Sequence, residues 1–274
     1  MSSARPIATP PLEPLAELLR TVASEEILSR FRRAAATSKA DGSLVTEADL
    51  AVQRRLAEAL ARQWPEIPLL GEEMEPAEQA HLLDGGTFWC LDPLDGTSNY
   101  ACGFPGFAVS LALVQHGRIE LGLVLDPLRD ECFMGRRGAG AWCDGAALAP
   151  FVPGEELGDC IAVVDFKRLP AGRIPALFRD GSFRSQRNLG AVALEWCWLA
   201  AGRFQLYLHG GQRLWDWSAG RLIADEAGAA TALFARNGAE PLVGLGLEKR
   251  VAMAAATPAL LARWQAFVGL PLWP

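Results

Sequence analysis

Between Leu12 and about Arg33 the apolar residues Leu15, Leu18, Leu19, Val22, Ile27, Leu28 and Phe31 recur at helical spacing, with a break near Ala23-Ser24. A polar stretch from Ser38 to Ser43 separates them from a second helix, capped by Thr46 and running to about Gln63. Its expected buried stripe is Leu50, Leu56 and Leu60. The pattern then changes period. Phe88–Leu91, Phe107–Gln115, Ile119–Leu125 and Glu131–Met134 predict strands, with His116-Gly117 as a tight hairpin turn. Ala146–Leu157 is a polar, Pro/Gly-containing interruption that sets a boundary near residue 150. Beyond it, strands at Ile161–Phe166, Phe204–Leu208 and Val251–Ala256 are interspersed with helices near Ile174–Phe178, at Ala191–Ala201, at Trp215–Ala227 and at Pro258–Val268. Gly228 stops the third of these helices. The pattern predicts an N-terminal α+β half, 1–150, and a C-terminal α/β half, 151–274.

Composition narrows the function. Half of the 274 residues are hydrophobic and 21% are charged, as in an ordinary globular protein. A net charge of −6 argues against broad electrostatic binding to nucleic acid or to an anionic membrane. It does not argue against one small anionic substrate, because a bound metal reverses the local field. The six cysteines are scattered, without a C-x-x-C pair, and only three histidines are present, so no zinc cluster is expected. They read as buried free thiols of a reducing compartment. No apolar run approaches the roughly 20 residues of a membrane span, and a cytoplasmic protein is expected.

The chemistry concentrates in acidic segments. Asp92 and Asp95 follow an apolar strand and precede Gly96-Thr97-Ser98-Asn99, a turn able to open a helix. Two hard oxygen ligands beside a helix N-terminus suit Mg²⁺ and phosphate together. Alone, Asp-Pro-x-Asp-Gly is equally a plain turn. Two further segments, Gly71-Glu72-Glu73 and Trp215-Asp216-Trp217-Ser218-Ala219-Gly220, shift the balance. Each residue keeps a structural alternative. Thr46 and Asp49 fit a capping box. Glu72 and Glu73 fit a solvated acidic pair. Asp216 fits a helix cap, a ligand, or both, since an unpaired buried carboxylate is costly. Asp126-Pro127 and Asp144-Gly145 read as turns.

With Asp41-Gly42-Ser43-Leu44-Val45-Thr46-Glu47-Ala48-Asp49 upstream, four acidic segments stand in order. In that order and spacing the chain resembles the inositol monophosphatase superfamily of Mg²⁺-dependent, lithium-sensitive phosphatases, over about residues 12–265. Phe104-Pro105, Ala108-Val109-Ser110 and Gly135-Arg136-Arg137-Gly138-Ala139-Gly140-Ala141 extend the match. The resemblance implies a layered αβαβα sugar-phosphatase fold, a homodimer, and hydrolysis of a small phosphorylated metabolite by metal-activated water. Two or three Mg²⁺ ions per site are implied. Glu72, Asp92, the Leu94 carbonyl and Thr97 would surround the first, with Glu72 and Thr97 orienting and deprotonating the water. Asp92, Asp95 and Asp216 would hold the second, and Asp49 would reach a third through water. Amides of Gly96 and Thr97 would bind phosphate.

The same resemblance places Gly190, Ala191 and the position seven before Asp216 against the leaving group. That position is His209, where enzymes acting on inositol phosphates carry a glutamate. Histidine donates, accepts or carries charge near neutral pH. Arg213 or Arg187 would meet a second anionic group, or else Arg213 is solvated and His209 only caps a strand; Lys39 would contact phosphate or remain solvated. An inositol phosphate or related sugar or polyol phosphate is the expected substrate. Histidinol phosphate, fructose 1,6-bisphosphate and 3′-phosphoadenosine 5′-phosphate are the alternatives. A largely non-catalytic partner of the transcription machinery is the alternative from another class.

Overall fold

Leu12, Leu15, Ala16, Leu19, Val22 and Ala23 are buried, and the chain from Leu12 to Glu26 is one helix, α1. No break occurs at Ala23-Ser24. The helix ends instead near Ile27, whose carbonyl accepts the Tyr100 hydroxyl at 2.9 Å, and a 3-10 turn follows at Leu28–Arg30. The computed structural model describes residues 9–33, 36–38 and 44–273, so Lys39 and Asp41-Gly42-Ser43 lie outside it. β1 (Ala36–Ser38) and β2 (Leu44–Thr46) pair antiparallel, and Thr46 caps α2 (Glu47–Gln63). Leu50 does not join the buried stripe and is 53% exposed. Ala48, Val52, Leu56 and Leu60 recur every four residues on the buried face, and Leu50 falls nearly opposite them.

The first sheet has seven strands in sequence order: β3 (Leu69–Gly71), β4 (Thr87–Asp95), β5 (Ala108–Gln115), β6 (Arg118–Asp126), β7 (Glu131–Arg136), β8 (Gly140–Cys143) and β9 (Ala146–Ala147). β3 and β4 are parallel and the other neighbours antiparallel. α3 (Pro76–Gly85) joins β3 to β4, and α4 (Thr97–Ala101) follows β4. His116 and Gly117 turn between β5 and β6 with φ of 51° and 73°, the left-handed pair that a two-residue hairpin requires.

The second sheet is ordered β11-β10-β12-β14-β13. Its strands are β10 (Ile161–Asp165), β11 (Ser185–Arg187), β12 (Leu206–Gln212), β13 (Ala230–Ala235) and β14 (Arg250–Ala255). β10 pairs parallel with both β11 and β12, while β14 runs antiparallel to β12 and β13. The helices of this part are α5 (Val192–Ala200), α6 (Leu214–Glu226) and α7 (Pro258–Val268). The helix expected near Ile174–Phe178 is a 3-10 turn, Pro175–Phe178.

Three apolar clusters give the layers. α1 and α2 cover one face of the first sheet through Leu15, Leu19, Leu56, Leu91 and Leu111. α5 and α6 fill the space between the sheets through Trp196, Cys197, Trp217 and Ile223. α7 closes the outer face of the second sheet through Leu260 and Trp264. The order is the αβαβα sandwich that the resemblance implies. All six cysteines are free thiols; Cys90, Cys132, Cys160 and Cys197 are buried, whereas Cys102 is exposed and Cys143 partly so. Among the described residues, no helix is long and apolar enough to cross a membrane.

Candidate active site

The C-terminal end of β4 and the N-termini of α2, α5 and α6 bring the acidic residues together. Asp92 is 2% exposed, and its Oδ1 accepts the Leu94 amide at 3.1 Å. Asp95 closes β4, and its Oδ2 accepts the Ala193 amide at 2.7 Å. α5 has no side-chain cap of its own, so Asp95 caps it from another strand. Asp216 sits in the first turn of α6, and its Oδ2 accepts the Arg213 amide at 2.7 Å. Each of the three is thus aimed by a backbone N–H. Among the described residues, no basic side chain is hydrogen-bonded to any of them.

Electrostatics follow from this crowding. Asp92 is pushed well above the usual carboxylate range, first by burial and then by Glu72, Asp95, Asp216 and Asp49. Asp95 is pushed up to about 8, by burial above all, with Glu195 and Glu72 adding and the Ala193 and Val192 amides opposing. Asp216 rises to about 6, by burial and by Asp95, with the Arg213 amide, His209 and Arg168 opposing. Like charges in a low-dielectric cleft repel, and a cation offsets that repulsion.

Asp49 takes the capping-box role and also faces Thr97. Its Oδ2 accepts the Thr46 amide at 2.8 Å and the Thr46 hydroxyl at 2.6 Å, completing the capping box. Its Oδ1 lies 3.2 Å from the Thr97 hydroxyl, which is also 3.0 Å from the Leu94 carbonyl and donates to one of the two at a time. Burial raises Asp49, against the Thr46 bonds. Glu72 follows β3, with its amide on the Leu91 carbonyl at 3.2 Å, and its charge acts on Asp92 and Asp95. The amide of Glu73 is held by Gln53 Oε1 at 3.1 Å.

Gly96 has φ +85°, and a Cβ there would meet the Gly106 carbonyl oxygen at 2.8 Å and the Ala191 Cβ at 3.2 Å. Only glycine fits between these neighbours. The five-residue α4 that follows has little dipole of its own, so any anion here meets the individual Gly96 and Thr97 amides. Asn99 Nδ2 donates to the Gly106 and Leu189 carbonyls at 2.6 and 2.7 Å, drawing the 189–191 loop onto this turn.

His209, on β12, is 4% exposed. Its Nε2 is 3.3 Å from Asp165 Oδ2, and its Nδ1 accepts the Gly211 amide at 3.1 Å. Both ring nitrogens therefore have partners within the protein. Burial is the largest influence on Asp165 and raises it, but His209, the Lys167 amide and Arg168 together leave it lowered. Arg213 Nη1 donates to the Leu247 carbonyl at 2.8 Å, while Arg187 is exposed and bonds Ser185 and Gln186. Trp196 and Trp217 are core residues, 0% and 1% exposed. Asp126 and Asp144 are turn residues, as read from the sequence: Asp126 Oδ1 accepts the Leu128 and Arg129 amides, and Asp144 has φ 48°.

Sequence reasoning missed a buried polar chain behind the loop. Glu195 Oε1 accepts the Gly190 and Leu189 amides at 3.1 and 3.3 Å, and its Oε2 accepts the Tyr207 hydroxyl at 2.7 Å. Gln212 Nε2 donates to that hydroxyl at 2.7 Å, and Gln212 Oε1 accepts Trp196 Nε1 at 3.1 Å. The available signal was a lone carboxylate in the apolar run Val192–Ala200, which must find partners when buried.

The donor set fits a hard divalent cation. Carboxylate oxygens and a backbone carbonyl are Mg²⁺ ligands, and three aspartates each keep one oxygen beyond the amide that aims them. Among the described residues, no group of three or more His, Cys, Asp or Glu side chains stands close enough together to hold a metal ion as placed.

A five-layered α/β sandwich with buried aspartates gathered at the end of β4 and the start of α6 defines the class. The family model for the Inositol monophosphatase family matches residues 10–266, and the chain belongs to that family. It is 34% identical over 197 residues to the Nus factor SuhB of Pasteurella multocida, covering 70% of this chain and 72% of that protein. It is 31% identical over 195 residues to Inositol monophosphatase 1 of Sus scrofa, covering 68% and 69%. Among solved structures it is similar to an IMPase of Thermotoga maritima, with TM-score 0.76 and 25% identity over 94% of this chain and 99% of that one. An IMPase/NADP phosphatase complexed with Mg²⁺ and phosphate shares the fold, with TM-score 0.74 and 24% identity over 91% and 92% of the two chains.

Proposed function

We propose that this chain is a Mg²⁺-dependent phosphomonoesterase acting on a small phosphorylated metabolite, an inositol phosphate or a related sugar or polyol phosphate. The observation that carries the reading is the trio Asp92, Asp95 and Asp216, each aimed by a backbone amide and bonded to no basic side chain among the described residues. With Glu72 and the Leu94 carbonyl they would hold two Mg²⁺ ions, and Asp49 would reach a third through water. When bound, Mg²⁺ supplies Lewis acidity and makes water more acidic.

The chain's own residues account for the rest. Thr97 takes a proton from the attacking water as its own hydroxyl proton passes to Asp49 Oδ1, 3.2 Å away, so that hydroxide attacks and Asp49 ends protonated. Burial makes Asp49 a stronger base than an exposed aspartate. Glu72 would orient the same water with Thr97. The Gly96 and Thr97 amides hold the phosphate, and Gly190, Ala191 and Asp216 line the leaving-group side.

Phosphate release from inositol 1-phosphate, fructose 1,6-bisphosphate, histidinol phosphate and 3′-phosphoadenosine 5′-phosphate, with and without Mg²⁺, tests this. Mg²⁺-dependent turnover that vanishes in Asp95→Asn supports it; equal turnover by that variant removes the assignment. The name of the Pasteurella multocida relative favours a second reading, a Nus-factor role. Absence of turnover on every compound, with Mg²⁺ binding intact, would favour that reading.

A further inference from the structure

Glu195 lies in the first turn of α5 and is buried, as are Trp196, Tyr207 and Gln212 behind it. Its Oε1 accepts the Leu189 and Gly190 amides at 3.3 and 3.1 Å, and its Oε2 accepts the Tyr207 hydroxyl at 2.7 Å. The direction of every bond in the chain is fixed. The Trp196 indole only donates, so Gln212 turns its oxygen to the indole and its nitrogen to Tyr207. Tyr207 accepts from Gln212 and therefore gives its own proton to Glu195. At the far end, two consecutive amides converge on one carboxylate oxygen because Gly190 has φ +71°, the left-handed bend such a concave pair requires.

The same loop is tied to the acidic turn from its other side. The Leu189 carbonyl accepts Asn99 Nδ2 at 2.7 Å, and the Ala193 amide, just beyond the loop, donates to Asp95 Oδ2 at 2.7 Å. A Cβ on Gly96 would lie 3.2 Å from Ala191 Cβ and 3.3 Å from the Gly190 carbonyl oxygen, so the loop and the Gly96 turn are in contact. The Leu189 and Gly190 amides thus face α5, while their carbonyls face the turn after β4. Asn99 and Asp95 hold the loop from the first sheet, and Glu195 holds it from the helix.

The geometry points to Glu195 as a positioning residue, which sets the place of Gly190 and Ala191 against the leaving group while Tyr207 and Gln212 fix its own place. This rests on the phosphomonoesterase reading, which puts Gly190 and Ala191 on that side of the cleft. A fully satisfied buried polar chain selects one geometry, and here the chain ends on the loop amides. Glu195 acts through the loop backbone. A surface that meets the leaving group equally before and during the reaction changes KM and leaves kcat.

The test has two arms, both on the full chain. In EDTA, hydrogen exchange of the Leu189 and Gly190 amides is slow in wild type and quickens by about tenfold or more in Glu195→Leu, which removes the acceptor of both. In Mg²⁺, the same variant raises KM by about tenfold for the best substrate among the four compounds named above. Its kcat, and its inhibition by inorganic phosphate, which has no leaving group, stay within about threefold of wild type. Glu195→Gln keeps an acceptor for the two amides and restores KM to within about threefold of wild type. Loss of folded enzyme would lower kcat and leave KM, so a merely structural role gives the opposite split. Should Glu195→Leu fail to fold, Glu195→Asp replaces it: the charge stays, the carboxylate falls one methylene short of the loop, and KM again rises. If wild type turns over none of the four, the dissociation constant of inositol 1-phosphate is compared instead, and failure of the hydrolase reading is then distinguishable from failure of the loop. Unchanged exchange in the variant overturns the inference. Faster exchange with an unchanged KM or dissociation constant also overturns it, because the loop is then held by Glu195 without governing the leaving group.

Discussion

Asp95 Oδ2 accepts the Ala193 amide at 2.7 Å across 98 residues of sequence, joining the end of β4 to the first turn of α5. One carboxylate thus caps a helix and faces the acidic cleft. Both tasks favour its charged form, because amide donors and a cation each stabilise the carboxylate, whereas burial opposes it. Burial holds it at about 8 in the absence of a cation.

Asparagine at this position separates the two tasks. Asp95→Asn keeps an acceptor for the Ala193 amide and removes a buried charge, so stability in EDTA stays within about 1 kcal/mol of wild type or rises. The response to Mg²⁺ is expected to differ. Wild type gains about 2.7 kcal/mol at a hundredfold excess over the dissociation constant, and the variant gains much less. Thermal unfolding in EDTA and in Mg²⁺ measures both. Full Mg²⁺ stabilisation of the variant would remove Asp95 from the cation site.

Glu195 gives a pH dependence of known sign. Burial lifts it from 4.5 to about 7, with the Tyr207, Gly190 and Leu189 bonds opposing. Its folded pKa is raised, so the folded state favours the proton, and stability from this group is lost as pH climbs from about 4.5 to 7. Glu195→Gln cannot titrate. The stability of wild type relative to Glu195→Gln should fall over that window, by on the order of 3 kcal/mol at most. Chemical denaturation of both proteins at several pH values reads the difference. A difference that stays flat means Glu195 does not change protonation on folding.

Gly96→Ala tests the tight turn between the acidic strand and α4. The positive φ of +85° and the 2.8 Å approach to the Gly106 carbonyl combine strain with overpacking, and the expected loss is about 2–4 kcal/mol. Turnover should fall by more than stability predicts at temperatures where the variant stays folded, because Thr97 and the 189–191 loop both lean on this turn. A variant as stable and active as wild type would show that the turn relaxes freely.

Local patterns in the sequence carried most of the helices and strands, and the layered fold came from the resemblance of the four acidic segments. Thr46 and Asp49 were legible because a capping box is written in four consecutive residues. The Asp92–Asp95 pair was legible because a strand end and a turn lie side by side. The Glu195, Tyr207 and Gln212 chain was not, since its partners meet only when α5 packs on β12. Leu50 misled because leucine in a helix was taken as buried, whereas the α2 face is set by Val52, Leu56 and Leu60. β13 escaped because Ala230–Ala235 carries mostly alanine and threonine outside Leu233 and Phe234, too weak a signal until β14 supplies its partner. The pairing of His209 with Asp165 depends on the parallel register of β10 and β12, which no local pattern contains.

That pairing makes a prediction about the glutamate found at this position in enzymes acting on inositol phosphates. His209→Glu would set a carboxylate where Nε2 now lies 3.3 Å from Asp165 Oδ2, in a buried place, and it would also lose the acceptor for the Gly211 amide. Two buried like charges without a cation are unfavourable, and the expected cost is about 2–4 kcal/mol. The double variant Asp165→Asn/His209→Glu should cost less than the sum of the two single variants, because its new carboxylate meets an amide able to donate to it. A double-mutant cycle by chemical denaturation should therefore return a coupling of about 1–3 kcal/mol in favour of the pair. Inositol 1-phosphate turnover should improve only in the double variant, where the glutamate is free to face the cleft. Improvement in His209→Glu alone, at wild-type stability, would mean that Asp165 does not oppose a carboxylate there and that the His209 bond to Asp165 does not set the specificity of this side of the cleft.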